Sequence, residues 1–293
     1  DKVDKMLPVD KYVGGAEHAC SHLLYSRFIT KALKDMGYID FDEPFLSLVH
    51  QGVILGPDGT RMSKSKGNII NPDKYIAEYG SDIFRLYLMF GFSYTEGGPW
   101  NEEGLKSIAK FADRLERAIT HAKDYAEKAV SSAGEKELAY ALNYAIKNIS
   151  ENLESFSFNT AVARLMELVN VMYKVDGCVS KKSYENTAKT VIRLIAPMMP
   201  HVAEELYHEF GGEGFIMDAE YPVFDPQKLV KDEVELALQI NSRVKSKIVV
   251  PTSATPKEIE ALALADEKVV SLLEGKTPKK VIVIPGRIVN IVV

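Results

Sequence analysis

Cysteine is nearly absent from this 293-residue chain: Cys20 and Cys178 are the only two. Two distant cysteines give neither a disulfide framework nor the ligand spacing of a zinc site, which points to a reducing compartment. Long apolar runs are also missing, so no segment approaches the ~20 residues of a membrane-spanning helix. No signal peptide opens the sequence. Charge of one sign is scarce: 36 Lys and Arg stand against 41 Asp and Glu, a net −5. That balance argues against wholesale electrostatic nucleic-acid binding and leaves open a local basic face. A Rossmann-type nucleotide domain opens with a strand, a glycine-rich phosphate turn and a helix. No such turn precedes Arg61, so the chain reads as the back part of a larger machine.

What is present suits a globular protein of two or three domains, with 46% hydrophobic and 26% charged residues. The most informative stretch is Arg61-Met62-Ser63-Lys64-Ser65-Lys66-Gly67-Asn68. It follows a strand-like apolar run, Phe45 to Leu55, and a Pro57-Asp58-Gly59 turn, and it precedes the helix start Asn71-Pro72-Asp73. Cations spaced by hydroxyls and closed by glycine suit a nucleotide polyphosphate. The ammonium and guanidinium groups neutralise phosphate oxygens, and the glycines let the loop close and reopen. By composition alone, the same loop could be a solvated surface turn.

A second stretch, Tyr12-Val13-Gly14-Gly15-Ala16-Glu17-His18, reads as a strand end, a glycine turn and a helix running to Met36. Glycines there allow close backbone approach to a ligand, and the helix start offers free N–H groups. His18 and His22, four residues apart, are expected on one helical face. With no third ligand in view they are expected to line a pocket, and no metal site is expected anywhere in the chain.

Beyond Gly97-Gly98-Pro99-Trp100 the period turns helical, with helices expected over 102–130, 135–153, 158–178, 181–196 and 201–210. Met166, Met172, Met198 and Met199 fit as core filler. After the connector at Tyr221-Pro222 the period changes again. Glu235 to Val250 alternates, with Ile240, Val244 and Ile248 on one face and Arg243, Lys245 and Lys247 on the other. A helix is expected from Pro256 to Leu273, then two strands around Pro285-Gly286. From Leu229 onward, ten Lys and Arg face eight Asp and Glu. A small basic domain on an acidic body fits an RNA-contacting appendage, with a strand edge defended by lysines as the alternative. The expected domains are 1–96, 97–220 and 221–293.

The octet at Arg61 resembles the Lys-Met-Ser-Lys-Ser signature of class I aminoacyl-tRNA synthetases, with arginine in place of the first lysine. Tyr12-x-Gly14-Gly15-x-Glu17-His18-Ala19-x-x-His22-Leu23-Leu24-Tyr25-Ser26-Arg27-Phe28 resembles the leucyl-tRNA synthetase form of the preceding motif. The stretches at Phe158–Glu167 and Ala196–Leu206 resemble that family's helical bundle. The ending Val281-x-x-x-Pro285-Gly286-Arg287-x-Val289-Asn290 resembles its small tRNA-contacting domain.

The resemblance implies the second half of a Rossmann catalytic domain, a helical bundle and a small α+β domain. It implies leucine activation with ATP and Mg2+, followed by transfer to tRNA(Leu) in the cytoplasm, with no membrane involved. Lys64 and Arg61 would stabilise phosphate charge, and Glu17 would hold the ATP ribose. Gly14, Gly15, Val53, Ser63 and Ser65 would line the nucleotide. Tyr12, His18 and His22 would meet leucine, and Arg243, Lys245 and Lys247 would meet tRNA. The companion His-Ile-Gly-His signature and the editing domain are not in the sequence, so a second chain or missing segment is expected to carry them. A natural subunit of a split enzyme is the favoured expectation over a cut single chain. The alternatives are a non-catalytic tRNA-binding subunit and an isoleucyl or valyl relative.

Overall fold

The computed structural model describes residues 2–230, 233–252, 254–273, 278, 280–284 and 287–292. The chain forms two compact units, Asp1–Phe224 and Asp225–Val293.

The first unit begins with a short helix α1 (Lys2–Met6), strand β1 (Tyr12–Gly15) and helix α2 (His22–Asp35). Gly37 ends α2 with φ +77°, a backbone state that glycine tolerates best. Strands β2 (Leu48–Gln51) and β3 (Val53–Leu55) follow, where the sequence suggested one continuous strand. The break falls at Gly52. A Cβ there would sit 2.0 Å from the backbone nitrogen of Gly97, so only glycine lets the two segments of chain cross. β1 pairs with β2 in parallel, Tyr12 opposite Leu48. β3 pairs in parallel with β4 (Gly97–Pro99), Val53 opposite Gly97.

Between β3 and β4 come α3 (Pro72–Tyr79) and α4 (Ser81–Phe90). Asn71 caps α3, its side-chain oxygen accepting from the Asp73 N–H, with Pro72 in the first turn. α4 ties this region to the helices beyond it. The Asp82 carboxylate accepts from His201 Nδ1 at 2.7 Å and from the Val202 N–H at 2.8 Å. Arg85 donates to the Pro197 carbonyl at 3.0 Å. His201 is therefore a helix-start residue held by Asp82.

The helices α5 (Glu102–Thr120), α6 (Ser132–Glu154), α7 (Phe158–Lys174), α8 (Lys181–Ile195) and α9 (Pro200–Glu209) form the bundle. α5 stops ten residues short of the expected 102–130. Residues 121–131 instead run against the α7–α8 connection, where Lys128 and Ala129 both donate to the Gly177 carbonyl at 2.9 Å. One buried apolar cluster runs from Tyr75, Leu86 and Trp100 through the bundle to Met198, Met199 and Ile216. Gly97–Trp100 thus lies inside the first unit, with Trp100 among the rings of Tyr75, Phe84 and Tyr87. Met172, Met198 and Met199 are core, while Met166 is half-buried.

In the second unit, β5 (Glu233–Ile240), β6 (Arg243–Pro251), β7 (Lys280–Ile284) and β8 (Ile288–Val292) form a sheet of order β6-β5-β8-β7. β5 and β6 make a hairpin whose turn, Asn241-Ser242, has positive φ at both residues. α10 (Pro256–Ala265) and α11 (Glu267–Leu273) replace the single helix expected there. Asp266 breaks the run by accepting from the N–H groups of Lys268 and Val269, both at 3.1 Å, and so starts a new helix. A second core of Leu236, Leu238, Val250, Ile259, Val289 and Ile291 closes this unit. The expected turn at Pro285-Gly286 lies outside the described residues.

Candidate functional site

Two places in the first unit carry the residues singled out above. At the first, β1 ends in Gly14 and Gly15, and residues Ala16–Cys20 form a 3-10 turn. Ser21 then bends the chain with φ −128° and ψ −99° before α2 begins at His22. His18 and His22 therefore do not share a face of one helix. The bend between a 3-10 turn and an α-helix overrides the four-residue spacing.

The two histidines separate in their contacts. His22 Nδ1 lies 3.1 Å from the Tyr12 hydroxyl, and the two rings stack with centroids 5.5 Å apart. His18 Nδ1 instead meets the Ser21 hydroxyl at 3.2 Å. Phe45 completes the Tyr12–His22 group at 4.6 Å and 6.2 Å between centroids. Sequence reasoning placed Phe45 only at the start of a strand. The backbone bridge of Val9 to Phe45 brings it alongside Tyr12. Arg27 helps hold that segment, donating to Glu43 through Nε at 2.8 Å and Nη2 at 2.7 Å. With Lys31 adding to this, the Glu43 carboxyl is held down to about 2.

The glycines serve their own chain. A Cβ on Gly15 would lie 2.3 Å from Glu17 Oε2, and one on Gly14 would lie 3.2 Å from the Tyr12 ring. The exposed Glu17 carboxylate thus folds over a bare glycine at the strand end, an acceptor facing solvent. Val53 stands in β3 beside Gly97.

At the second place, the loop from Gly56 to Asn71 connects β3 to α3. Met62 and Ile70 pack against the main core and anchor both flanks. Between them, Lys64–Lys66 makes one 3-10 turn capped by the Ser63 hydroxyl, which accepts from the Lys66 N–H at 3.3 Å. Ser63 and Ser65 share a hydroxyl contact of 2.8 Å. Gly67 closes the turn in the left-handed region, φ +66°. Arg61, Lys64 and Lys66 are all exposed. Among the described residues none of their side chains has an ion-pair partner, whereas Lys123, Lys174 and Arg164 each pair with a glutamate. The tip therefore presents three unneutralised cations on a base fixed in the core. No group of three His, Cys, Asp or Glu able to hold a metal occurs among the described residues.

In the second unit Arg243, Lys245 and Lys247 are exposed, but their register differs from the simple alternation expected. Leu238 pairs with Ser246 and Gln239 with Val244, so Lys245 is the extra residue of a bulge. One inserted residue inverts the alternation. Val244 is 59% exposed, while Ile240 and Ile248, expected on the same face, pack against the core of Leu236, Leu238 and Val250. Lys247 is neutralised by Glu235 at 2.7 Å.

This arrangement has known counterparts. Residues 1–97 match the profile of class I tRNA synthetases for I, L, M and V, and residues 135–261 match the anticodon-binding domain of tRNA ligases. A methionyl-tRNA synthetase from Mycobacterium tuberculosis, solved with methionyl-adenylate, shares the fold. Its TM-score is 0.54 at 16% identity, over 69% of this chain and 44% of that one. The chain belongs to the class I aminoacyl-tRNA synthetases.

Closer relatives narrow the assignment. Over 99% of its length the chain is 54% identical to the leucine–tRNA ligase of Caldanaerobacter subterraneus. A LeuRS–tRNA–LeuAMS ternary complex from Agrobacterium radiobacter K84 superposes with a TM-score of 0.82 at 31% identity, over 99% of this chain and 39% of that one. Within its class, the chain belongs to the leucyl-tRNA synthetase family. It spans 36% of the length of the Caldanaerobacter relative.

Proposed function

We propose that this chain supplies the phosphate-handling loop, part of the leucine pocket and the tRNA-facing domains of a leucyl-tRNA synthetase. It acts together with a partner segment or chain that carries the His-Ile-Gly-His signature and the editing domain. The observation that carries this reading is the loop tip, where Arg61, Lys64 and Lys66 stand exposed and unpaired among the described residues on a core-anchored base.

In the reaction the leucine carboxylate attacks the α-phosphorus of ATP. A carboxylate oxygen–phosphorus bond forms, and the bond to pyrophosphate breaks with its electron pair. Charge grows on the phosphate oxygens, and Lys64 and Arg61 stabilise it more in the transition state than before it. Glu17 accepts from the ribose hydroxyls. Gly14, Gly15, Val53, Ser63 and Ser65 border the nucleotide, and Mg2+ enters with its phosphates. Tyr12, His18 and His22 shape one wall of the leucine pocket. A terminal ribose hydroxyl of tRNA(Leu) then attacks the leucyl carbonyl and AMP departs. Arg243, Lys245 and Lys247 contact the tRNA backbone. The work belongs to the cytoplasm, in keeping with the free thiols of Cys20 and Cys178.

The need for a partner is supported by the apolar stripe Leu24, Tyr25, Phe28 and Ile29 on α2, every member more than half exposed. A patch of that kind marks an interaction surface. Without its partner the chain is inactive.

The test is Lys64→Ala in the complete enzyme. Leucine-dependent ATP–pyrophosphate exchange should fall by roughly two to three orders of magnitude while the leucine KM stays unchanged. Unaltered exchange would identify Lys64 as a surface lysine and leave the chain as a non-catalytic tRNA-binding part.

A further inference from the structure

The cationic loop is held at its neck by one side chain to which the signature motif gives no role. Asn68 stands half-buried at the loop's far end. Its Oδ1 accepts from the Ser63 N–H at 2.9 Å. Its Nδ2 faces the Thr60 hydroxyl at 3.1 Å, both Asp58 carboxylate oxygens at 3.3 Å and the Arg61 carbonyl at 3.4 Å. Asp58 is itself fixed, accepting from the Thr60 N–H at 3.0 Å and the Thr60 hydroxyl at 2.9 Å. Those two bonds, the N–H first, hold the Asp58 carboxyl below its usual range. Gly56 leaves room for the assembly, since a Cβ there would lie 2.8 Å from Asp58 Oδ1 and 3.0 Å from Asn68 Nδ2.

A single carboxamide thus joins the turn before the motif, the backbone at Arg61 and Ser63, and the chain leaving for α3. The charged groups of Arg61, Lys64 and Lys66 take part in none of these hydrogen bonds among the described residues. We propose that Asn68, held by Asp58, is a positioning residue that sets the spacing and reach of Arg61 and Lys64 by closing the neck of their loop. This rests on the loop's role in leucine activation. It assigns to Asn68 and Asp58 no contact with substrate.

The design has a specific electrostatic consequence. Asn68 can satisfy Asp58 because one partner is a donor and the other a charged acceptor. Asn68→Asp sets two carboxylates against each other and opens the neck. Exchanging the two residues, Asp58→Asn with Asn68→Asp, restores a carboxamide–carboxylate pair and still leaves an acceptor for the Ser63 N–H.

The experiment measures leucine-dependent ATP–pyrophosphate exchange and melting temperature in the complete enzyme. Asn68→Ala and Asn68→Asp should each lower the exchange kcat by about tenfold or more, with leucine KM and melting temperature unchanged. The exchanged pair should recover most of the loss. Wild-type exchange in both single variants overturns the proposal, as does an exchanged pair no better than Asn68→Asp. So does a loss that merely tracks a fall in melting temperature. Lys64→Ala separates the two levels. If it costs its hundredfold while Asn68→Ala costs nothing, the latch alone is wrong. If neither variant changes exchange, the loop reading falls and the latch with it.

Discussion

Helices α2 and α5 are both rich in apolar residues and meet opposite fates. α5 buries Leu105, Ile108, Leu115 and Ile119 to 1% exposure or less against the neighbouring helices. α2 leaves Tyr25 66% and Phe28 70% exposed, and Thr30 is its only buried residue. An amphipathic helix in water is stable because its apolar stripe finds a partner. The bundle finds that partner within this chain, and so does the second unit, whose sheet closes on α10 and α11. The α/β region does not. The region that carries Glu17, Arg61 and Lys64 is thus the one that leaves an apolar helix face exposed, and the regions that bury theirs are those proposed to meet tRNA.

The sharpest way to break this contrast is to assay the chain by itself. It should show no leucine-dependent exchange, and exchange should appear once the remainder of the synthetase fold is added. Robust exchange by the chain alone would show that the open face of α2 needs no cover.

Core truncation comes next in size. Leu165 is fully buried in α7, so Leu165→Ala should cost about 2–5 kcal/mol in denaturant unfolding of the chain. Phe28→Ala should stay within about 0.5 kcal/mol in the same assay yet weaken association with the partner by more than about 1 kcal/mol. Equal destabilisation by both variants would mean that α2 is packed within this chain.

The smallest effect concerns the second unit. If it meets the tRNA backbone, Arg243→Ala with Lys245→Ala should reduce the salt slope of tRNA binding by about 2. Lys247→Ala should change it less, because Glu235 already neutralises that ammonium. Exchange, which needs no RNA, should be untouched by all three changes. A salt slope insensitive to Arg243 and Lys245 would leave them as guards of a strand edge.

Local signals account for much of what could be read in advance. Helix periodicity places α6 to α9 within a few residues, because each buries its stripe against neighbours that the chain itself supplies. Asn71-Pro72 marks the start of α3 because capping is a property of adjacent residues. The same holds for Thr255, whose hydroxyl and Glu258 cap α10 reciprocally. The order of cations and hydroxyls from Arg61 to Lys66 was legible without any fold, and its handling of phosphate is the proposal that Lys64→Ala tests.

Only the tertiary structure decided how distant segments meet. Gly52 splits a strand because Gly97 crosses it, and α5 ends at Thr120 because the α7–α8 connection claims the backbone that follows. His18 and His22 part company at the bend of Ser21, and Phe45 reaches Tyr12 through a backbone bridge to Val9. The bulge at Lys245 turns Val244 away from the face that alternation had assigned to it. In each case the deciding contact joins residues that no local pattern connects. Periodicity and capping record what a residue does with its near neighbours, whereas strand breaks, bends and register are settled by which distant backbone must pass.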